Sequence, residues 1–126
     1  MKKYVVCVES IMKDFVEVTA NYESEAEAKK IAKYEMSKIY QYVEYDSDDI
    51  YWCYGETKYK ATAEENIMVV ESTLTDYVEV YAKNEEEAKK ISIRAMSDIY
   101  SYAVYESEVI NWQYGESKYN ATVVKD

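Results

Sequence analysis

Phe15-Val16-Glu17-Val18-Thr19-Ala20 runs through Ser24 into Glu27-Ala28-Lys29-Lys30-Ile31. The same passage recurs as Tyr77-Val78-Glu79-Val80-Tyr81-Ala82, Asn84 and Glu87-Ala88-Lys89-Lys90-Ile91. The first part of each passage alternates as a strand does: Val16, Val18 and Ala20 share one face, and Phe15, Glu17 and Thr19 share the other. Val78, Val80 and Ala82 keep the aliphatic set, so that face is assigned to the core. Ser24 with Glu27, and Asn84 with Glu87, form capping boxes that start a helix. Apolar residues then follow at three-to-four spacing: Ala28, Ile31, Ala32, Met36, Ile39 and Val43, and in the second passage Ala88, Ile91, Ala95, Met96, Ile99 and Ala103.

Working outward, residues 4–21 align with 66–83 and residues 24–62 with 84–122, and 30 of the 57 aligned pairs are identical. The chain is therefore read as an internal duplication, with Tyr22-Glu23 as an insertion in the first copy. Upstream, residues 3–9 read as a valine-rich strand and Ser10 to Asp14 as a turn. Downstream, Asp46 to Asp49 read as a polar loop before Ile50-Tyr51-Trp52-Cys53-Tyr54. Gly55-Glu56 and Gly115-Glu116 read as two-residue hairpin turns into a last strand. The expected class is α+β, with two tandem pseudo-symmetric β-β-α-β(-β) repeats, 1–64 and 65–126. A unit of about 60 residues is marginal alone, and Glu64-Glu65-Asn66 is too short for a flexible linker, so both repeats are expected in one compact body.

The 126 residues include 25 acids and 15 bases, a net charge of −10. Both halves are acidic, which disfavours phosphate backbones and lipid head groups and favours basic partners. No histidine is present, which removes the commonest general base and metal ligand. Cys7 and Cys53 lack metal spacing and are replaced by Val69 and Gln113 in the second copy, so they read as reduced core thiols of a cytoplasmic protein. No apolar run is long enough to span a membrane, and the N-terminus reads as a strand, not a signal peptide.

Sixteen tyrosines are the oddest feature. Tyr40, Tyr42 and Tyr45 recur as Tyr100, Tyr102 and Tyr105, and residues 40 and 42 cannot share a helix face, so some rings must meet water or a partner. Rigid phenol rings suit binding surfaces; the plainer reading is that they wrap the core edge. The acids gather at helix starts and in the loops that follow the helices, where capping and solvation explain most of them. The alternative is an acidic, tyrosine-edged surface that imitates a row of phosphates and engages arginines and lysines of a groove. Its candidate residues are Glu23, Glu25, Glu27, Tyr42, Tyr45, Asp46, Asp48, Asp49, Glu85, Glu86, Tyr102, Tyr105, Glu106 and Glu108. Trp52, Tyr54, Trp112 and Tyr114 are candidates to wall two equivalent ligand pockets, or one shared pocket. Asp46-Ser47-Asp48-Asp49 lacks the glycine and distal glutamate of an EF-hand, so no metal is expected. No nucleophile motif, singled-out carboxylate pair or phosphate-cradling loop is present, so neither catalysis nor a cofactor is expected.

The Val-Glu-Val-x-Ala strand, polar cap and Glu-Ala-rich helix resemble the DpnD/PcfM-like family of small mobile-element proteins. The resemblance covers about residues 4–40 and again 66–100. This chain departs from that pattern in being a tandem copy with tyrosine-rich ends. The resemblance brings no catalytic residues and implies a phage or plasmid origin. The leading expectation is a non-catalytic acidic inhibitor, of the anti-CRISPR or anti-defence kind, seated in the nucleic-acid groove of a basic host protein such as a CRISPR effector or another nuclease. It would make no direct contact with nucleic acid or membrane. A small-ligand binder or sponge, and an interaction scaffold or homo-oligomer, are the alternatives.

Overall fold

The computed structural model describes residues 1–41, 50–64, 67–101 and 107–125. The chain order is β1 (Lys2–Val18), α1 (Glu25–Gln41), β2 (Ile50–Glu64), β3 (Ile67–Ala82), α2 (Glu85–Ser101) and β4 (Ile110–Lys125). The strands form one antiparallel sheet in the order β2-β3-β1-β4. β1 and β2 run parallel with β3 between them, and β3 and β4 run parallel with β1 between them. This is the connectivity of the ferredoxin-like, split βαβ arrangement.

The three expected turns are absent, which corrects the unit from β-β-α-β(-β) to β-α-β. Ser10 to Asp14 continue β1 without a break, pairing with Leu74 through Val70 of β3. Ser10 and Asp14 suggest a turn, but the strand lies between two neighbours that take its backbone groups on both sides. Gly55 and Gly115 are bulges, not hairpin turns. Tyr54 pairs with Asp76 and Glu56 with Thr75, which leaves Gly55 over; Asp14 pairs with Tyr114 and Lys13 with Glu116, which leaves Gly115 over. A Cβ on Gly55 would lie 2.5 Å from Thr75 O and 3.1 Å from the Tyr77 ring. On Gly115 it would lie 2.5 Å from Lys13 O and 2.9 Å from the Phe15 ring. Glycine is thus needed for close approach, and the extra residue keeps both parts of each edge strand facing the helices. Trp52 packs on the core before the first bulge, and Ala61 and Ala63 after it.

The helices cover one face. α1 packs mainly on β2 and β3, and α2 on β1, β4 and β3. Beneath them lie Val6, Val8, Met12 and Val16 of β1 with Val70, Leu74, Val78 and Val80 of β3, closed over by Ala28, Ala32, Met36 and Ile39 and by Ala88, Met96 and Ile99. Both helices begin on the expected caps. Glu27 N donates to Ser24 Oγ (3.1 Å) and Glu87 N to Asn84 Oδ1 (2.9 Å), while each glutamate accepts the N–H of the residue before the cap.

The opposite face carries Lys3, Cys7, Glu9, Lys13 and Phe15 of β1 beside Glu71, Thr73, Tyr77 and Glu79 of β3, and it bears no helix. Cys7 is half-buried there and Cys53 is exposed, so neither thiol lies in the core. Their strand positions alternate with the core residues, which places both on the uncovered side. Among the described residues no helix is long and apolar enough to cross a membrane.

Candidate functional site

The helices converge at their C-terminal ends. The rings of Tyr40 (α1) and Tyr100 (α2) meet edge-to-face, with centroids 5.9 Å apart. Each phenol reaches down to a carboxylate on a central strand. Tyr40 Oη donates to Asp14 Oδ2 at 2.8 Å, and Tyr100 Oη donates to Asp76 Oδ2 at 2.7 Å. Asp14 and Asp76 are both 0% exposed, and Oδ1 of each has no hydrogen-bond partner among the described residues. Burial lifts each carboxyl to about 6, against the lowering effect of the tyrosine hydrogen bond. Burial and the neighbouring carboxylate together push the Tyr40 and Tyr100 phenols well above their ordinary range, so both stay protonated donors.

A cavity of about 330 Å³ opens beside this centre, between the ends of the helices, β1 and β4. Its rings are Tyr40, Tyr100, Trp112, Tyr114 and Tyr119. Met12 and the hydroxyls of Ser97, Ser101 and Ser117 complete it. Tyr114 Oη donates to Ser117 Oγ at 2.6 Å, which fixes the outer ring. The edge strand brings Trp112, Tyr114, Ser117 and Tyr119 to one side only because the Gly115 bulge restores the alternation.

Of the residues singled out in the sequence for a pocket, Trp112 and Tyr114 line this cavity, whereas Trp52 and Tyr54 stand on β2, the opposite edge of the sheet. Tyr54 Oη donates to Thr57 Oγ1 at 3.0 Å. Tyr40 and Tyr100 stood out in the sequence only as recurring tyrosines, and Asp14 and Asp76 were not singled out. A signal for the acids exists: Asp14 and Asp76 repeat at matching positions with the parity of Val16 and Val78, an acid held twice on an aliphatic face.

The acidic candidates are split between the two ends of the sheet. Glu23, Glu25 and Glu27 follow the end of β1, where Val18 pairs with Ile110. Glu108 sits at that same end, its carbonyl accepting from Thr19 Oγ1 at 3.4 Å and its neighbour Val109 accepting from Thr19 N at 2.8 Å. Glu85 and Glu86 follow the end of β3, where Ala82 pairs with Lys2. The ends lie about 50 Å apart at the usual rise per strand residue. All six side chains are exposed. Tyr42, Tyr45, Asp46, Asp48, Asp49, Tyr102, Tyr105 and Glu106 lie outside the described residues.

Near the first end, Glu35 is buried and accepts from Ser107 Oγ at 2.5 Å and from Lys38 Nζ at 2.9 Å. Burial pushes its carboxyl up, but Ser107 and the Lys38 ammonium outweigh this and hold it below its ordinary value. Among the described residues no group of three or more Cys, Asp or Glu side chains is placed to hold a metal ion. Comparison with protein-family models, with curated proteins and with solved structures finds no match for this chain.

Proposed function

We propose that this is a non-catalytic, acidic binding protein that engages a basic protein surface through the carboxylates at its ends. One observation carries the reading: both halves of the chain are acidic, and the whole carries a net charge of −10. On the uncovered sheet face, Lys3 pairs with Glu79 (3.6 Å) and Lys13 with Glu116 (3.6 Å). The helix starts hold Glu23, Glu25 and Glu27, and Glu85, Glu86 and Glu87; Glu27 and Glu87 cap their helices, while Glu25 pairs with Lys29 and Glu86 with Lys89 (3.8 Å each). This surplus of carboxylates attracts a partner with basic ground, such as the nucleic-acid groove of a nuclease. The resemblance to DpnD/PcfM-like proteins bears on a mobile-element origin alone; the place in the host cytoplasm and the anti-CRISPR or other anti-defence role rest on the acidic charge. The halves are read as tandem copies of one β-α-β unit, supported by 30 identities in 57 aligned pairs and by matching Asp–Tyr pairs and glycine bulges.

The test is competition for DNA on an immobilised RNA-guided nuclease at low salt. The protein should displace DNA, and raising salt or neutralising Glu23, Glu25, Glu85 and Glu86 to glutamine should weaken it about tenfold or more. Unchanged DNA binding across a panel of such nucleases would sink the reading. A second reading, a small-ligand binder, is favoured by the cavity under Tyr40 and Tyr100.

A further inference from the structure

We propose that the cavity beside Tyr40 and Tyr100 is an aromatic cage for a small methylated ammonium ion, a ligand of the choline class; this rests on the small-ligand reading above. Its volume, about 330 Å³, lies at the small end of ligand pockets, which run from roughly 300 to 1,000 Å³. Five rings line it, one of them an indole, the strongest ring type for holding a cation over its face. No lysine or arginine is among its described lining residues, so nothing there repels positive charge.

The ring electronics point the same way. Tyr40 and Tyr100 each donate their phenol hydrogen to a buried carboxylate. That polarises the O–H bond, pushes electron density into the ring and makes its face more negative. Asp14 adds a nearby negative charge behind Tyr40, with one oxygen unpartnered among the described residues and no water-exposed surface to screen it. A neutral planar ligand would use the ring faces but gain nothing from the carboxylates. A bare ammonium would lose strong hydration and find only neutral tyrosine and serine hydroxyls among the described lining residues to replace it, and a guanidinium would have five N–H donors to satisfy there. A methylated ammonium has no N–H to satisfy and spreads its charge over a surface that fits ring faces. Ser97 then faces a hydroxyl on the ligand's tail, since Ser101 Oγ donates to Asp98 O (2.9 Å) and Ser117 Oγ accepts from Tyr114 Oη (2.6 Å).

The probes are choline and its neutral carbon isostere 3,3-dimethylbutan-1-ol, titrated into the full chain carrying Trp52→Phe so that Trp112 alone reports fluorescence. Choline should bind about tenfold more tightly than the isostere. Tyr114→Leu, at a ring 53% exposed and so tolerant of change, should weaken choline about fivefold and leave the melting temperature in place. Equal affinity for choline and the isostere would overturn the cage while leaving a neutral-ligand pocket standing. No response of Trp112 to either probe, or choline binding unaffected by Tyr114→Leu, would overturn both.

Discussion

The two faces of the sheet are written in the same strands, one residue out of step, and they have opposite characters. On the covered side, Val6, Val8, Val70, Leu74 and Val78 are sealed from water, and the acids among the described strand residues there are the two that accept a tyrosine hydroxyl. On the uncovered side, lysines, glutamates and threonines alternate with single apolar residues such as Phe15 and Val69. The backbone hydrogen bonding is common to both. What separates the faces is the helices, which remove one from water. The lesson is that strand propensity builds the ladder, whereas burial decides what each position tolerates.

The covered face is shared between the halves, and separating them is the strongest way to break the comparison. β1 and β2 of the first half never touch; β3 of the second lies between them. Residues 1–64 and 65–126 expressed separately should each be unfolded by circular dichroism and should regain structure on mixing. A cooperative melt of either half alone would show that a face can close without the other half's strand.

Leu74→Ala, at a fully buried position, should cost about 2–4 kcal/mol in chemical denaturation. Thr73→Ala, one residue away on the uncovered face, should change stability by about 0.5 kcal/mol or less. Similar values for the two would erase the distinction between the faces.

The buried carboxylates sharpen it further through pH. Both fold with carboxyls raised to about 6, above the ordinary 3.8, so the fold disfavours their charged forms. Their stabilising contribution is fully present below about pH 4 and is lost as pH rises through about 6, on the order of 2–3 kcal/mol for each. The double variant Asp14→Asn/Asp76→Asn should flatten that part of the stability profile. A wild-type profile that rises steadily across this window, with the variant tracking it, would contradict the burial of these charges.

Gly115→Ala sits where the faces communicate, since the new Cβ would press on Lys13 O and on the Phe15 ring of the uncovered side. It should cost about 1–3 kcal/mol, read as a shift in the denaturation midpoint, with Gly55→Ala similar. The smallest effect belongs to the uncovered ion pair. Its partners Lys3 and Glu79 are about half exposed, so Lys3→Ala should cost less than about 0.5 kcal/mol and vary with salt.

Much of this was legible in the chain. The capped helices and the parity of Val16, Val18, Val78 and Val80 follow from local rules: a cap needs only neighbours in sequence, and an apolar period needs only one buried side. The misreadings share a cause. Ser10 to Asp14 looks like a turn because serine and aspartate compete well for local hydrogen bonds, and Gly55-Glu56 looks like a hairpin because glycine opens tight turns. Neither local preference can anticipate a neighbouring strand that claims the backbone. The site was harder. Trp112 and Tyr114 stand out by type, but Asp14 with Tyr40 is a pair across 26 residues that becomes visible only once helix and sheet are docked.

By itself, the sequence determined the repeated strand-to-helix passage, the α+β class and the acidic charge, because propensity, capping and composition act over a few residues. Tertiary structure alone decided that the strands of the two halves interleave, that the glycines are bulges and that Tyr40, Tyr100 and Trp112 surround one cavity. Those outcomes depend on contacts between residues far apart in the chain, whose energy exists only after the loops have closed and the sheet has left water on one side.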